Sequence, residues 1–290
     1  MSSKMKICHV ITRMIVGGAQ ENTLFTVIDH IAKGHEVVLV TGPSPGREGE
    51  LLRHAGSADF EVVVMPELVR ELNPVKDMQA YRKLKRLFRE RKFDVVHTHS
   101  SKAGIIGRAA AWDAEVPVVV HTVHGQAFHR YEKPWKNMLY IHAERFAAAR
   151  CHRIYAVAQA MIDQCVEAGV APREKYQVVY SGMEIGKFLN AVPEPELRKS
   201  LGIPEGVPVI ATLARLFPMK GYEYVIPAAI RVARENPTVH FLIIGDGPMY
   251  DSLHAELEKE KLAGRFHFAG LVAPDQVYRY LALSDIMWHL

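Results

Sequence analysis

The sequence predicts an α/β protein made of two doubly wound parallel-sheet domains in tandem. Three observations carry this expectation. Short β-branched runs recur along the chain and are bounded by turn residues. Those runs are apolar almost without interruption, which is how strands covered by helices on both faces read. The intervals between them carry helical periodicity.

In the first domain the expected strands are 5–11, 36–41, 61–65, 93–97, 117–122, 153–157 and 177–180. The clearest helix follows Asn73-Pro74 and occupies 77–92. Tyr81, Leu84, Leu87 and Phe88 form its apolar stripe, and Arg82, Lys83, Lys85, Arg86, Arg89 and Arg91 surround it. Such a basic amphipathic helix is either the solvated outer layer of an α/β domain or a surface for anionic lipid. After Ser181-Gly182 the pattern breaks into a polar stretch with Pro193, Pro195 and Pro204, holding one short helix at 196–201. The expected division is therefore a first domain at 1–185, a linker at 186–204 and a second domain at 205–290. That second domain has strands at 207–213, 239–244, 266–269 and 285–289, with helices at 222–235, 249–261 and 274–283. Its last strand reads as buried, so a chain ending at Leu290 would leave ladder groups and an apolar face uncovered. The expectation is a second domain that is incomplete.

Composition excludes several classes. With 290 residues, 49% hydrophobic and 23% charged, the chain is a folded globular protein rather than a disordered or fibrous one. A net charge of +4, spread along the chain, is mild for a nucleic-acid binder, so no nucleic-acid partner is expected. Anionic small molecules and a membrane surface fit that balance. Cys8, Cys151 and Cys165 are odd in number with no CxxC pair, which suggests neither a disulfide framework nor zinc. No signal peptide and no apolar stretch of spanning length is visible. The expected location is cytoplasmic, with or without peripheral attachment to the inner face of the plasma membrane.

The residues that carry chemistry sit at strand ends. Gly17-Gly18 follows the first strand and opens a helix, either as a tight turn or as a place where backbone approaches an anion. It is not a GxGxxG, and no acidic residue ends the second strand, which weakens a dinucleotide reading. Arg215 and Lys220 flank a Pro-stiffened loop after the first strand of the second domain. Two such cations can clamp a diphosphate, unless they are merely solvated. Gly245-Asp246-Gly247-Pro248 follows the next strand, as a turn or as a second phosphate-facing loop, with Pro248 suited to the first turn of a helix. His97, His99, His121 and His124 lie at one rim of the first sheet. With no HExxH and no compact ligand set, they are expected to be held by backbone hydrogen bonds, and no metal site is predicted.

In order and spacing, Ile15-Val16-Gly17-Gly18-Ala19-Gln20, Asp94-Val95-Val96-His97-Thr98-His99-Ser100, His121-Thr122-Val123-His124-Gly125, Val179-Tyr180-Ser181-Gly182-Met183-Glu184, Arg215 with Lys220-Gly221, and Gly245-Asp246-Gly247-Pro248 resemble the retaining glycosyltransferases of family four, the group 1 type. The resemblance covers nearly the whole chain. It implies the GT-B architecture of two Rossmann-like domains. It also implies transfer of a sugar from a nucleotide-sugar, with UDP-sugar as the default, to a glycan, lipid-linked or small-molecule acceptor, with no cofactor and no metal. By position it assigns Gly17 and Gly18 to the donor diphosphate, Arg215 and Lys220 to binding it and stabilising the leaving group, and His124 to the donor sugar. Gly245 and Gly247 join the donor site, and the segment Phe268-Ala269-Gly270-Leu271-Val272 reads the nucleobase, with Leu271 and Val272 in contact. Retention is then ascribed to same-face attack, with the leaving phosphate assisting deprotonation, and needs no carboxylate pair.

Two family glutamates seven residues apart would lie beyond Leu290, as would a C-terminal helix. Smaller departures are Ser181 in place of the usual Asn and Ala158 in place of Ser. Acceptor contacts are expected in the loops 42–49 and 126–135. Two rival readings stand beside transfer: a fragment that binds sugar nucleotide without turnover, and a GT-B sugar-nucleotide epimerase, for which no acid/base carboxylate pair stands out.

Overall fold

The computed structural model describes residues 4–44, 51–54, 60–183, 185–218 and 220–289. Residues 45–49 of the expected acceptor loop, and Glu184, Met219 and Leu290 in the stretches quoted above, lie outside the described residues. The chain divides into two compact units, Met1–Met183 and Glu184–Leu290.

The first unit runs β1 (Lys6–Ile11), α1 (Gly18–Ala32), β2 (Glu36–Thr41), β3 (Glu61–Val64), α2 (Pro74–Arg91), β4 (Val95–His99), α3 (Ser101–Asp113), β5 (Val118–Val123), α4 (Pro134–Ala148), β6 (Arg153–Ala156), α5 (Gln159–Glu167) and β7 (Tyr176–Val178). Its seven strands are parallel in the order β3-β2-β1-β4-β5-β6-β7. Side chains alternate across a strand, and this sorts the core into two layers. Ile11, Val37 and Leu39 face α1 through Leu24 and Val27. Cys8, Val10, Val96 and Val119 face α2 to α5 through Leu84, Phe88, Ala110 and Ile162. The strand order reverses between β1 and β4, and the carboxyl ends there form the crevice where open α/β sheets bind ligands.

The basic helix starts earlier than its stripe suggests, because Asn73 accepts the Lys76 N–H at 3.0 Å and Pro74 fills the first helical position. It ends at Lys92, held left-handed at φ 51°. Ala80, Leu84 and Phe88 are buried, while Tyr81 and Leu87 are only partly so. The expectation of burial on both faces fails at β3. Val62 and Val64 are 36% and 57% exposed because β3 is an edge strand.

The second unit runs α6 (Ile185–Leu189), α7 (Pro195–Ser200), β8 (Val209–Leu213), α8 (Tyr222–Glu235), β9 (His240–Ile244), α9 (Tyr250–Lys259), β10 (Phe266–Gly270), α10 (Val277–Leu281) and β11 (Ile286–Trp288), with parallel strands in the order β10-β9-β8-β11. On α8 the residues Tyr222, Ile226, Ala229 and Ala233 recur at helical spacing and pack on Phe241 and Ile243. The segment expected as a linker is built into this unit: α6 and α7 occupy much of it, and the Glu194 carboxylate takes both Nε and Nη2 of Arg279 from α10. The single helix expected at 274–283 is a 3₁₀ turn at Pro274–Gln276 followed by α10. The last strand is not buried. Among the described residues it pairs only with β8, and Ile286 is 53% exposed.

Candidate functional site

In the second unit the loops after β8, β9 and β10 are laced together by backbone. Ala214 N–H donates to the Ile244 carbonyl at 3.1 Å, Leu216 N–H to Asp246 at 3.0 Å, and Gly245 N–H to Gly270 at 3.0 Å. A side chain would prevent this. A Cβ on Gly245, whose φ is 145°, would lie 2.0 Å from the Ala214 carbonyl oxygen, and one on Gly247 would lie 2.4 Å from that of Leu216. The Tyr222 hydroxyl, buried under the loop, donates to the Ala214 carbonyl at 2.8 Å. That anchor was read from sequence only as a helix residue.

The laced loops present Arg215 and Lys220, both exposed, at the carboxyl ends of the strands. The Arg215 guanidinium lies over the Phe217 ring at 5.0 Å. Pro248 precedes Met249, the N-cap of α9, so it belongs to the turn and not to the first helical turn as expected. Leu271 is exposed, whereas Val272 packs against the core around Val209 and Leu242.

In the first unit Gly17 caps α1 in extended backbone, and Glu21 N–H donates to its carbonyl at 2.9 Å. A Cβ on Gly18 would meet nothing within 4 Å, and one on Gly17 only the end of the flexible Gln20 side chain. Packing does not require either glycine.

The histidines are where the structure departs most from expectation. By alternation His9, His97, His99 and His124 fall on the α1 side of the sheet, and α1 itself adds His30. Four of them, His30, His9, His99 and His124, bond to one another rather than to backbone. His30 Nδ1 lies 3.1 Å from His9 Nε2, His9 Nδ1 lies 3.0 Å from His99 Nε2, and His99 Nδ1 lies 3.1 Å from His124 Nε2. His97 lies beside His99, the rings tilted by 33° with centroids 4.1 Å apart, and bonds Thr122 Oγ1 at 2.7 Å. His121, on the opposite face, bonds Thr98 Oγ1 at 2.9 Å.

The statement that no compact ligand set exists is therefore corrected, since nitrogens of His9, His97 and His99 come within 4.8 Å of one another. The register of β1 on β4 places His9 opposite His97, a relationship the separation of these residues in sequence conceals. Burial, and then neighbouring imidazoles, push these rings toward the neutral form: His97 falls to about 3, His9 and His99 well below the usual range, and burial alone takes His124 to about 4.

Two further features escaped the sequence reading. Ser100 sits at φ 60°, a strained conformation for a side-chain-bearing residue, with its hydroxyl 2.8 Å from that of Thr12, tying the ends of β1 and β4 together. Arg108, fully buried beneath the rim, pairs with Glu144 at 2.6 Å and depresses His121 further after burial.

Two Rossmann-like parallel-sheet units in one chain are the GT-B class of fold. Residues 30–182 match the family model described as glycosyl transferase 4-like domain, and residues 193–290 match that of glycosyl transferases group 1. The first match spans more than half of the chain, and the chain belongs to this glycosyltransferase family. It is 33% identical over 256 residues to an Escherichia coli UDP-Gal:alpha-D-GlcNAc-diphosphoundecaprenol alpha-1,3-galactosyltransferase, covering 87% of this chain and 64% of that protein. It is 25% identical to an alpha-monoglucosyldiacylglycerol synthase of Streptococcus pneumoniae, covering 78% of this chain and 54% of that one. The chain thus spans less than two thirds of these relatives. Among solved structures, Anabaena HepE in complex with UDP and glucose superposes with a TM-score of 0.78 at 21% identity, over 98% of this chain and 74% of HepE. Among the described residues no helix is long and apolar enough to cross a membrane.

Proposed function

We propose that the chain is the donor-binding and catalytic framework of a retaining, metal-independent glycosyltransferase that moves a hexosyl group from a UDP-sugar to a lipid-linked or glycan acceptor. The observation that carries this reading is the laced loop system of the second unit. Glycines that admit no side chain fix the backbone there, and Arg215 and Lys220 both stand on the loop that follows the carboxyl end of β8. Cleaving a sugar nucleotide builds charge on the departing diphosphate, and preorganised cations stabilise that charge. In this reading Arg215 and Lys220 hold the leaving group without a metal. Gly17 and Gly18 let the α1 N-terminus approach the diphosphate, and His124 contacts the donor sugar. The backbone at Leu271 and Val272 reads the base, with Gly245 and Gly247 shaping the same site. UDP and a lipid-linked acceptor are supported by the likeness to the Escherichia coli UDP-Gal:alpha-D-GlcNAc-diphosphoundecaprenol alpha-1,3-galactosyltransferase.

The protein acts in the cytoplasm at the inner face of the plasma membrane. α2 supplies peripheral contact through Arg82, Lys83, Arg86 and Arg89, with Leu72, Val75 and Met78 exposed at its N-terminal end.

The test is thermal unfolding with UDP, GDP, ADP and their sugar derivatives. A ligand at a hundred times its Kd stabilises by about 2.7 kcal/mol. The expected result is a shift with UDP and UDP-sugar that Arg215→Ala and Lys220→Ala each abolish. Unchanged nucleotide affinity in both variants would remove the clamp from the reading.

A further inference from the structure

The outward stripe of α4 is apolar. Its inward stripe is that of an ordinary outer-layer helix: Tyr140, Ile141 and Ala148 pack on the core, and Ala147 is buried with them. On the other side Trp135, Met138, Leu139 and Phe146 recur at helical spacing and stand exposed, Trp135 by 60%, with exposed Tyr131 in the loop before them. α2, in the same layer, turns Arg82, Lys83, Arg86 and Arg89 to solvent instead. A run of large apolar side chains left uncovered on one helix marks a contact surface rather than a solvated face.

The charges around that stripe identify what it meets. Each exposed ring has a cation beside it: Arg130 Cζ lies 4.6 Å from the Tyr131 centroid, Lys136 Nζ 5.9 Å from that of Trp135, and Arg150 Cζ 3.7 Å from that of Phe146. The only acids in the sequence between Arg130 and Arg150 are Glu132 and Glu144. Glu132 faces Lys136 at 3.4 Å, and Glu144 turns inward to Arg108. The outward surface is therefore cationic as well as apolar. A second copy of the chain docked there symmetrically would set like charges against each other. An anionic bilayer surface suits both features, because rings and apolar chains enter the boundary below the headgroups while Lys and Arg reach up to phosphate.

We propose that the outward stripe of α4 docks on an anionic lipid surface, with Trp135, Met138, Leu139 and Phe146 entering the headgroup boundary and Arg130, Lys136 and Arg150 against lipid phosphates. The inference deepens the reading of peripheral attachment and rests on it. α2 and α4 flank α3, which is largely sunk into the unit, so α2 supplies attraction at a distance and α4 the apolar contact that fixes one orientation. That orientation serves the substrate. α4 joins the parallel strands β5 and β6, so its first turn, with Trp135, lies at the carboxyl edge of the sheet, the end where open α/β sheets bind ligands. Docking by α4 holds that crevice close to the headgroup level, where a lipid-linked acceptor carries its reacting group.

The test separates apolar docking from charge. Trp135→Gln combined with Leu139→Gln removes apolar surface and leaves every charge in place, and because both positions are exposed, thermal unfolding should not change. With vesicles of phosphatidylglycerol and phosphatidylcholine at low ionic strength, this double variant of the full chain should bind about tenfold more weakly than the wild type in co-sedimentation. Wild-type tryptophan emission should shift to the blue on the vesicles and be quenched by lipids brominated on their acyl chains, and Trp135→Phe should lose the quenching. Vesicle binding without quenching, at equal affinity in the double variant, would overturn docking by α4 and leave attachment to α2. A wild type that binds no vesicle would overturn both. A wild-type dimer that the double variant turns into monomers, with no quenching, would give the stripe to a second copy instead. A protein that binds vesicles as expected and transfers no sugar would count against the catalytic reading alone.

Discussion

Gly245 and Ala214 approach so closely that one methyl group on the first would lie 2.0 Å from the carbonyl oxygen of the second. That approach is what lets the loops after β8 and β9 pair. Gly245→Ala is therefore expected to cost about 2–3 kcal/mol through overpacking and a φ that L-residues rarely adopt. Gly18→Ala, with open space around it, should stay within about 0.5 kcal/mol while weakening UDP binding. Urea midpoints for both variants, measured beside nucleotide affinity, check the contrast.

The buried Arg108–Glu144 pair lies beneath His121. Removing Glu144 leaves the Arg108 guanidinium, whose side chain is fully buried, without its counter-charge, so Glu144→Gln should destabilise by about 3 kcal/mol. Arg108→Met combined with Glu144→Leu should recover much of that loss, since the pair's desolvation cost disappears with its charges. Equilibrium unfolding of the two variants decides.

Acid should destabilise the first unit. The folded-state pKa values of His97 and His124 are lowered, to about 3 and about 4, so the unfolded chain binds more protons below its ordinary histidine pKa. Stability is then full above roughly pH 6.5 and falls as the pH drops toward the folded values, with a slope of about 1.4 kcal/mol per pH unit for each such ring. His9 and His99 shift in the same direction and steepen the fall. Urea unfolding between pH 7 and 5 should show it, and His9→Phe, if folded, should reduce the slope.

Membrane contact through α2 should be electrostatic and therefore sensitive to salt. Several of its cations already face carboxylates, as Lys83 does Glu67, Arg86 Glu90 and Arg91 Glu61, so binding should be weak. Co-sedimentation with vesicles containing anionic lipid is expected at low ionic strength and should be lost at high salt, with Val75→Asp reducing it. No binding at low salt would leave α2 a plain outer helix.

Much of this was legible before any coordinates. Strand positions follow from β-branched apolar runs, and 36–41 and 222–235 coincide with β2 and α8 to the residue. Edge position was not legible, because Val62 and Ile286 look like core residues until the strand order places β3 and β11 at the edges of their sheets among the described residues. Nor was the joining of 186–204 to the second unit, which depends on Glu194 meeting Arg279 far along the chain.

The sequence by itself determined the two α/β units and the family, and it singled out Arg215, Lys220 and the glycine turns, because periodicity, turn chemistry and local spacing are written in consecutive residues. Only the tertiary structure decided that Gly245 is demanded by packing while Gly18 is not, and that four histidines from β1, α1, β4 and the end of β5 form one bonded series. Those facts depend on parallel register between distant strands, and register is fixed by the whole sheet rather than by any stretch of it.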